Sequence, residues 1–297
     1  MNDTLEKELV RCIKNYEIPQ RITFSKKYPI LKKPVVFLHC LLKSIQNFLD
    51  HGVKYERKKD FYQYVMASHQ AVLRRTYGNS DPALQENKII NLKQALEKLN
   101  GIVIKPNKTF SFWNAIGRPS KKNGYVNGRF FLNGKVTEEV GGGLCQLSSF
   151  LYWMFLHTPI TVLERHNHSI DDFPESGKNL AFRCGATVLY NSVDLKVRND
   201  YKYPIQLKMW ITENDLNGQI VSLCALPEKI HIAEKNHCFV KRGNKIYQYS
   251  EVYREEYVND QLVKTEKTSA NFTQVLYNIT DEYIKDNNFK LYDFSNM

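Results

Sequence analysis

The stretch GGGLCQLSSFLYWMFLH, residues 141–157, decides how the chain is read. Three glycines lead into fourteen residues without Asp, Glu, Lys or Arg, and Pro159 follows. The run is too long for a strand and is bounded by residues that end regular structure, so it predicts a mostly buried helix starting at Cys145. On such a helix Cys145, Ser148, Ser149 and Tyr152 share one face, whereas Leu144, Leu147, Leu151 and Met154 share another. A helix N-terminus carries about half a positive charge and free N–H groups, which favours thiolate over thiol at Cys145. Gly141, Gly142 and Gly143 would let the backbone approach a substrate, with N–H groups offered to an oxyanion. Gln146, Ser149 and Tyr152 complete the candidate substrate-binding face.

Outward from this helix the texture is that of short strands. GIVI and FSFW precede it, and RFFLNGKV carries the Asn133-Gly134 hairpin signal. After it, ITVLERH, ATVLY, DLKVRN and PIQLKMWIT read as strands. The last points Ile205, Leu207, Met209 and Ile211 inward and Gln206, Lys208 and Thr212 outward, and Asn217-Gly218 would turn it back. Residues 225–297 read as short strands with turns at Gly243-Asn244 and Asn259-Asp260. Upstream, Asp81 caps a helix with Pro82 in its first turn and Gly101 beyond its end, and Ile89, Leu92, Leu96 and Leu99 form one stripe. Before residue 81 three helices are predicted, LEKELVRCIKNY, VVFLHCLLKSIQNFLD and KKDFYQYVMASHQAVLRR. The fold class is therefore α+β: an N-terminal helical region, then a mixed, largely antiparallel sheet packed around one buried helix that begins at Cys145. Three units follow, a basic helical region 1–80, a core 81–224 with the site, and a β-rich extension 225–297.

Composition narrows the function. The chain has 297 residues, a net charge of +11 and six cysteines without a Cys-x-x-Cys pair, which suits reduced thiols. Residues 1–90 hold 16 Lys and Arg against 9 Asp and Glu, a balance of +7. That asymmetry points to peripheral contact with an anionic membrane surface through residues 1–80, and no nucleic-acid motif accompanies it. The start, MNDTLEKELVRC, has no secretory pattern, and the longest apolar run, PVVFLHCLL (34–42), is far short of the roughly 20 residues of a membrane span. A cytoplasmic protein is expected.

A second cluster, Glu164-Arg165-His166-Asn167-His168, closes a predicted strand. In extended chain His166 and His168 point to one side, so either would serve as base to Cys145 if the strand packs beside the helix. Asp194 is the first candidate to orient that histidine, with Glu164 and Asp171 behind it. His166, His168 and Cys145 would supply three zinc ligands but no fourth is near, so neither metal nor cofactor is expected.

These motifs fall in a familiar order. The series QENKIINLKQALEKLNGIVIKPNKTFSFW (85–113), GRPSKKNGYVNG, GGGLCQLSSFLYW, LHTPITVLERHNHSIDDFP and GATVLYNSVDLKVRND (185–200) resembles the VanW family, named for an accessory protein of vancomycin-resistance clusters. The resemblance implies a bacterial cell-wall function akin to cysteine-dependent L,D-transpeptidases, with a peptide-type cell-wall precursor as partner. It further implies Cys145 as nucleophile, His168 in preference to His166 as base, and Arg165 as a clamp on a substrate carboxylate. The alternative is a non-enzymatic module that binds such a precursor or a membrane-associated partner.

Overall fold

A computed structural model of the protein describes residues 3–17, 55–74, 81–132, 135–168, 170–171, 184–190 and 192–295, together with Leu38 and Leu42. Its helices are α1 (Asp3–Glu17), α2 (Pro82–Leu99), α3 (Phe112–Ile116), α4 (Leu144–Leu156) and α5 (Asp281–Asp286). The strands before α4 are β1 (Glu56–Arg57), β2 (Tyr64–Val72), β3 (Ile102–Ile104), β4 (Thr109–Ser111), β5 (Asn127–Leu132) and β6 (Lys135–Val140). After it come β7 (Ile160–Glu164), β8 (Ile170–Asp171), β9 (Lys196–Asn199), β10 (Ile205–Ile211) and β11 (Asp215–Ser222). The chain ends with β12 (Lys229–Arg242), β13 (Lys245–Val258), β14 (Gln261–Val275) and β15 (Lys290–Asp293). The architecture is mixed α+β, and its sheets are antiparallel except where β12 meets β15 and β14 meets β8. Among the described residues no helix is long and apolar enough to cross a membrane.

An inner sheet runs in the order β1-β3-β10-β11-β2, backed by α2 and α4. α2 is capped by the Asp81 carboxylate, which accepts from Ala83 N at 2.8 Å, and buries Ile89, Leu92, Ala95, Leu96 and Leu99. α4 starts at Leu144, one residue before Cys145, and shares the core with α2, so two helices line this sheet. Its Leu147, Phe150, Leu151, Tyr152, Met154 and Phe155 are buried, worth roughly 1.5–3 kcal/mol for each large apolar side chain. Beside them lie the hairpin β5–β6 and a small sheet β4-β9-β7.

An outer sheet, in the order β15-β12-β13-β14-β8, is held on one face by α1, whose Leu5, Leu9 and Ile13 pack on Cys238, Val240, Tyr247 and Tyr249. The other face joins the main core through Val252. There Arg254 donates to the carbonyls of Ile160 at 2.8 Å and Thr158 at 3.3 Å.

Several local expectations are corrected. KKDFYQYVMASHQAVLRR is not a helix, since Tyr64–Val72 is an edge strand paired along β11. Its aromatic and β-branched content suits a pleated surface once a partner strand is present. ATVLY forms no strand, only isolated bridges of Thr187 with His166 and of Leu189 with Val193. FSFW splits, with Ser111 ending β4 and capping α3 by accepting from Asn114 N. Asn217-Gly218 is no turn: both lie within β11, opposite Trp210 and Met209. Gly218 is there because a Cβ would stand 2.6 Å from Phe150 Cε1, so glycine lets α4 press onto the sheet. Gln206 points into the protein, accepting from Tyr62 N and donating to the Lys58 and Asp60 carbonyls. Of the strands after residue 228, β12, β13 and β14 are long, of 14, 14 and 15 residues, although Gly243-Asn244 and Asn259-Asp260 do connect them, and only β15 is short. Asn259 and Asp260 both take positive φ, 49° and 60°, as a tight hairpin turn requires. The helix expected over VVFLHCLLKSIQNFLD lies outside the described residues apart from Leu38 and Leu42. Asn133 and Gly134 also lie outside them, but Leu132 pairs with Lys135 across the hairpin.

Candidate functional site

The glycine turn is a packing device. Gly141 and Gly143 take φ of 84° and 97°, the left-handed region. Gly142 lies flat on Gly128 of β5, where a Cβ would meet the Gly128 carbonyl carbon at 2.2 Å. The turn is pinned by Asn91 from α2, fully buried within the apolar stripe. Asn91 Nδ2 donates to the carbonyls of Gly142 (2.9 Å) and Val126 (3.0 Å), and its Oδ1 accepts from Val126 N (2.8 Å). The N–H groups of Gly141 and Gly142 are spent on the Val126 and Glu139 carbonyls, each at 3.0 Å. These two glycines are therefore not oxyanion donors in this arrangement, contrary to expectation. Gln146 donates to the Val72 carbonyl at 3.0 Å, tying the helix start to the end of β2.

Cys145 lies in the first turn of α4 and is half-buried. Burial pushes its thiol above the ordinary range, outweighing backbone contacts from Val188 and from Cys145 itself that favour the thiolate. Burial thus acts against the thiolate that the helix start was expected to favour. The polar strip that Cys145 heads does not face an open cleft, because residues 185–188 run across it. Ser148 Oγ donates to the Ala186 carbonyl at 2.6 Å, and Ser149 Oγ accepts from Ala186 N at 2.9 Å. Cys145 Sγ stands 3.5 Å from the Val188 carbonyl.

The same four-residue segment receives His168. Its Nδ1 lies 2.9 Å from Thr187 Oγ1, and its ring lies against the Cα of Gly185, where a Cβ would come within 2.7 Å of Cδ2. The ring keeps one side exposed, yet the protein packed around it and then the neighbouring Arg165 charge lower its pKa to about 4. Cys145 from α4 and His168 from beyond β7 thus each contact segment 185–188, and no hydrogen bond joins them among the described residues. Outer-sheet residues hold the His168 loop, with Thr273 Oγ1 donating to the His168 carbonyl (3.1 Å) and Asn167 Nδ2 to that of Phe272 (3.4 Å).

The remaining candidates divide. Arg165 spends Nε and Nη2 on the Gly185 carbonyl and lies over the Tyr152 ring at 5.2 Å, so its fork grips backbone rather than facing outward for a carboxylate. Tyr152 is fully buried beneath it, and burial raises its hydroxyl pKa. His166 is exposed and stands 3.7 Å from Glu164 Oε1, while Glu164 also meets Lys196 at 3.2 Å. Asp194 is not brought to either histidine. Its carboxylate is buried and accepts from Ser111 Oγ (2.5 Å), Leu195 N (2.8 Å) and Trp113 N (3.2 Å), so it braces β4 and α3. Burial raises its pKa against those bonds. Asp171 pairs with Val275 in β8. Among the described residues no group of three His, Cys, Asp or Glu could hold a metal ion. A cavity of about 560 Å³ opens between Pro159, Tyr201, Tyr203, Cys224, Glu228 and Glu256, and none of the candidate residues lines it.

The sequence assigns no role to Asn91, Gly185, Thr187 or Thr273. Asn91 is a polar residue inside an otherwise apolar helix stripe, a signal that such a side chain answers buried backbone groups. The other three lack any local signal.

The family described as "VanW like protein" matches residues 87–221, the span from α2 to the end of β11. The chain is 38% identical over 174 residues to the vancomycin B-type resistance protein VanW of Enterococcus faecalis, covering 59% of this chain and 63% of that protein. It is 28% identical over 134 residues to the uncharacterized protein YoaR of Bacillus subtilis, covering 45% of this chain and 41% of that one. The chain thus spans less than two thirds of the length of either relative. No solved structure matches it. The matched span, which resembles the VanW family, contains the glycine turn, Cys145, both histidines and segment 185–188.

Proposed function

We propose that the domain is a cysteine-centred acyl-transfer site, resembling L,D-transpeptidases, that acts on peptide-type cell-wall precursors. The observation carrying this reading is the placement of the Cys145 thiol and the His168 ring on the same backbone segment, 185–188. In the reaction, Cys145 Sγ attacks a peptide carbonyl as its proton passes to His168, and the C–N bond breaks with that proton going to the departing amine. The resulting thioester passes its acyl group to an acceptor amine, which loses a proton through His168, and the thiol is restored. With Gly141 and Gly142 N–H groups already bonded, the oxyanion needs other donors or a shift of the turn. The E. faecalis relative's name links the reading to glycopeptide resistance.

Incubating the full chain with peptidoglycan stem peptides and mapping the protein by mass spectrometry tests this. A covalent acyl adduct on Cys145, absent in Cys145→Ser, is the expected result. Absence of any adduct across donors, with binding retained by Cys145→Ser, overturns it.

One observation favours a second reading, a binding module. No hydrogen bond among the described residues joins the thiol to the imidazole, and burial disfavours the charged form of each. In either case the basic residues 1–80 contact an anionic membrane surface through charge. The apolar face of α1 is already buried on the outer sheet, so it is not available for insertion.

A further inference from the structure

We infer that Thr187 is the positioning residue of His168, its hydroxyl oxygen accepting from Nδ1–H so that Nε2 carries the basic lone pair. The inference rests on the reading of His168 as base and supplies the third group, for which Asp194 is not placed. Four observations carry it. Thr187 Oγ1 and His168 Nδ1 are 2.9 Å apart. Thr187 cannot drift, because its N–H donates to the His166 carbonyl at 2.7 Å, two residues before the ring it holds. A Cβ on Gly185 would lie 2.7 Å from His168 Cδ2, 3.3 Å from Nε2 and 3.7 Å from Ser149 Oγ. The bare glycine therefore lets the edge of the ring bearing Nε2 settle beside the helix face that Cys145 heads. Finally, the Thr273 bond to the His168 carbonyl fixes the loop from the other side.

An uncharged partner has a chemical consequence. The charge that bears on the ring is that of Arg165 on its own segment, and no carboxylate among the described residues bonds to it. A hydroxyl can donate as well as accept, so unlike a carboxylate it holds the ring in place while doing little to stabilise an imidazolium. The ring is then suited to pass a proton on quickly and returns to the neutral state.

The tautomer is read directly by long-range proton–nitrogen NMR on the full chain carrying ¹⁵N-histidine, with His168 assigned by the loss of its signals in His168→Gln. At pH 7 the expected pattern is a protonated Nδ1 and a bare Nε2 in the wild type and in Thr187→Ser, with a mixed or Nε2–H pattern in Thr187→Val. A wild-type ring protonated at Nε2, or a Thr187→Val pattern equal to wild type, overturns the inference. A second readout uses p-nitrophenyl acetate as acyl donor and follows acetylation of Cys145. Thr187→Val should slow it about tenfold and Thr187→Ser restore it. If no donor acylates Cys145 while the tautomer still depends on Thr187, the acyl-transfer reading fails and the positioning role stands. Normal acylation in Thr187→Val sinks the positioning role alone.

Discussion

Asn91 makes three hydrogen bonds from inside an apolar helix stripe, and they settle where the turn before Cys145 sits. Cys145 and the glycines around that turn stand out in the sequence because their types are unusual there. Thr187 and Gly185 do not, since a threonine and a glycine in a short irregular segment have many ordinary uses. His168 provides a test at this scale. Its pKa of about 4, against the ordinary 6.5, means that the unfolded chain binds the proton more readily. The resulting stability is present above about pH 6.5 and is lost as the pH falls toward 4. His168→Gln should remove this share, so denaturant midpoints measured from pH 7 to 4 should fall less steeply in the variant than in the wild type.

Strand and helix boundaries followed local pattern at most of the caps and turn pairs. Asp81, Pro82 and Gly101 framed α2, and Asn259-Asp260 turned β13 into β14. Pattern failed where a partner element decided the outcome, as in β2, which is a strand because β11 offers it a ladder. Gly218 belongs to the same class, since its absent side chain makes room for α4 rather than for a turn. The glycine contacts predict unequal costs. Gly142→Ala drives a Cβ into the backbone of Gly128, which cannot give way without moving β5, so it should cost about 2–3 kcal/mol. Gly218→Ala meets only the ends of Phe150 and Met154 and should cost less. Urea unfolding of the two variants compares them, and equal losses would mean that the turn is freer than its geometry indicates.

At the scale of the whole molecule, the outer sheet apart from its edge strand β8 lies beyond the family match, yet it touches the site through Thr273 and Phe272 and the core through Arg254. Arg254 is buried, bonds two carbonyls of the α4–β7 connection and pairs with Glu266 at 2.8 Å. Arg254→Met keeps its bulk but leaves those carbonyls unpaired, a loss of about 2 kcal/mol. The variant should keep its circular dichroism while limited proteolysis between residues 229 and 275 accelerates. Unchanged cleavage would show that the outer sheet is held by its apolar contacts alone.

By itself the sequence determined the α+β class, the helix that follows the glycine turn, the hairpins and the family resemblance, because caps, turn pairs and motif order act over a few residues. It also marked Cys145 and His168 as chemically notable types. Only the tertiary structure decided that Asp194 braces α3 and that Arg165 grips Gly185. The meeting of Thr187 with His168 was likewise decided there. Those assignments depend on which surfaces meet across distant parts of the chain, and burial there, more than residue type, sets where a proton resides and which side chain is free to act.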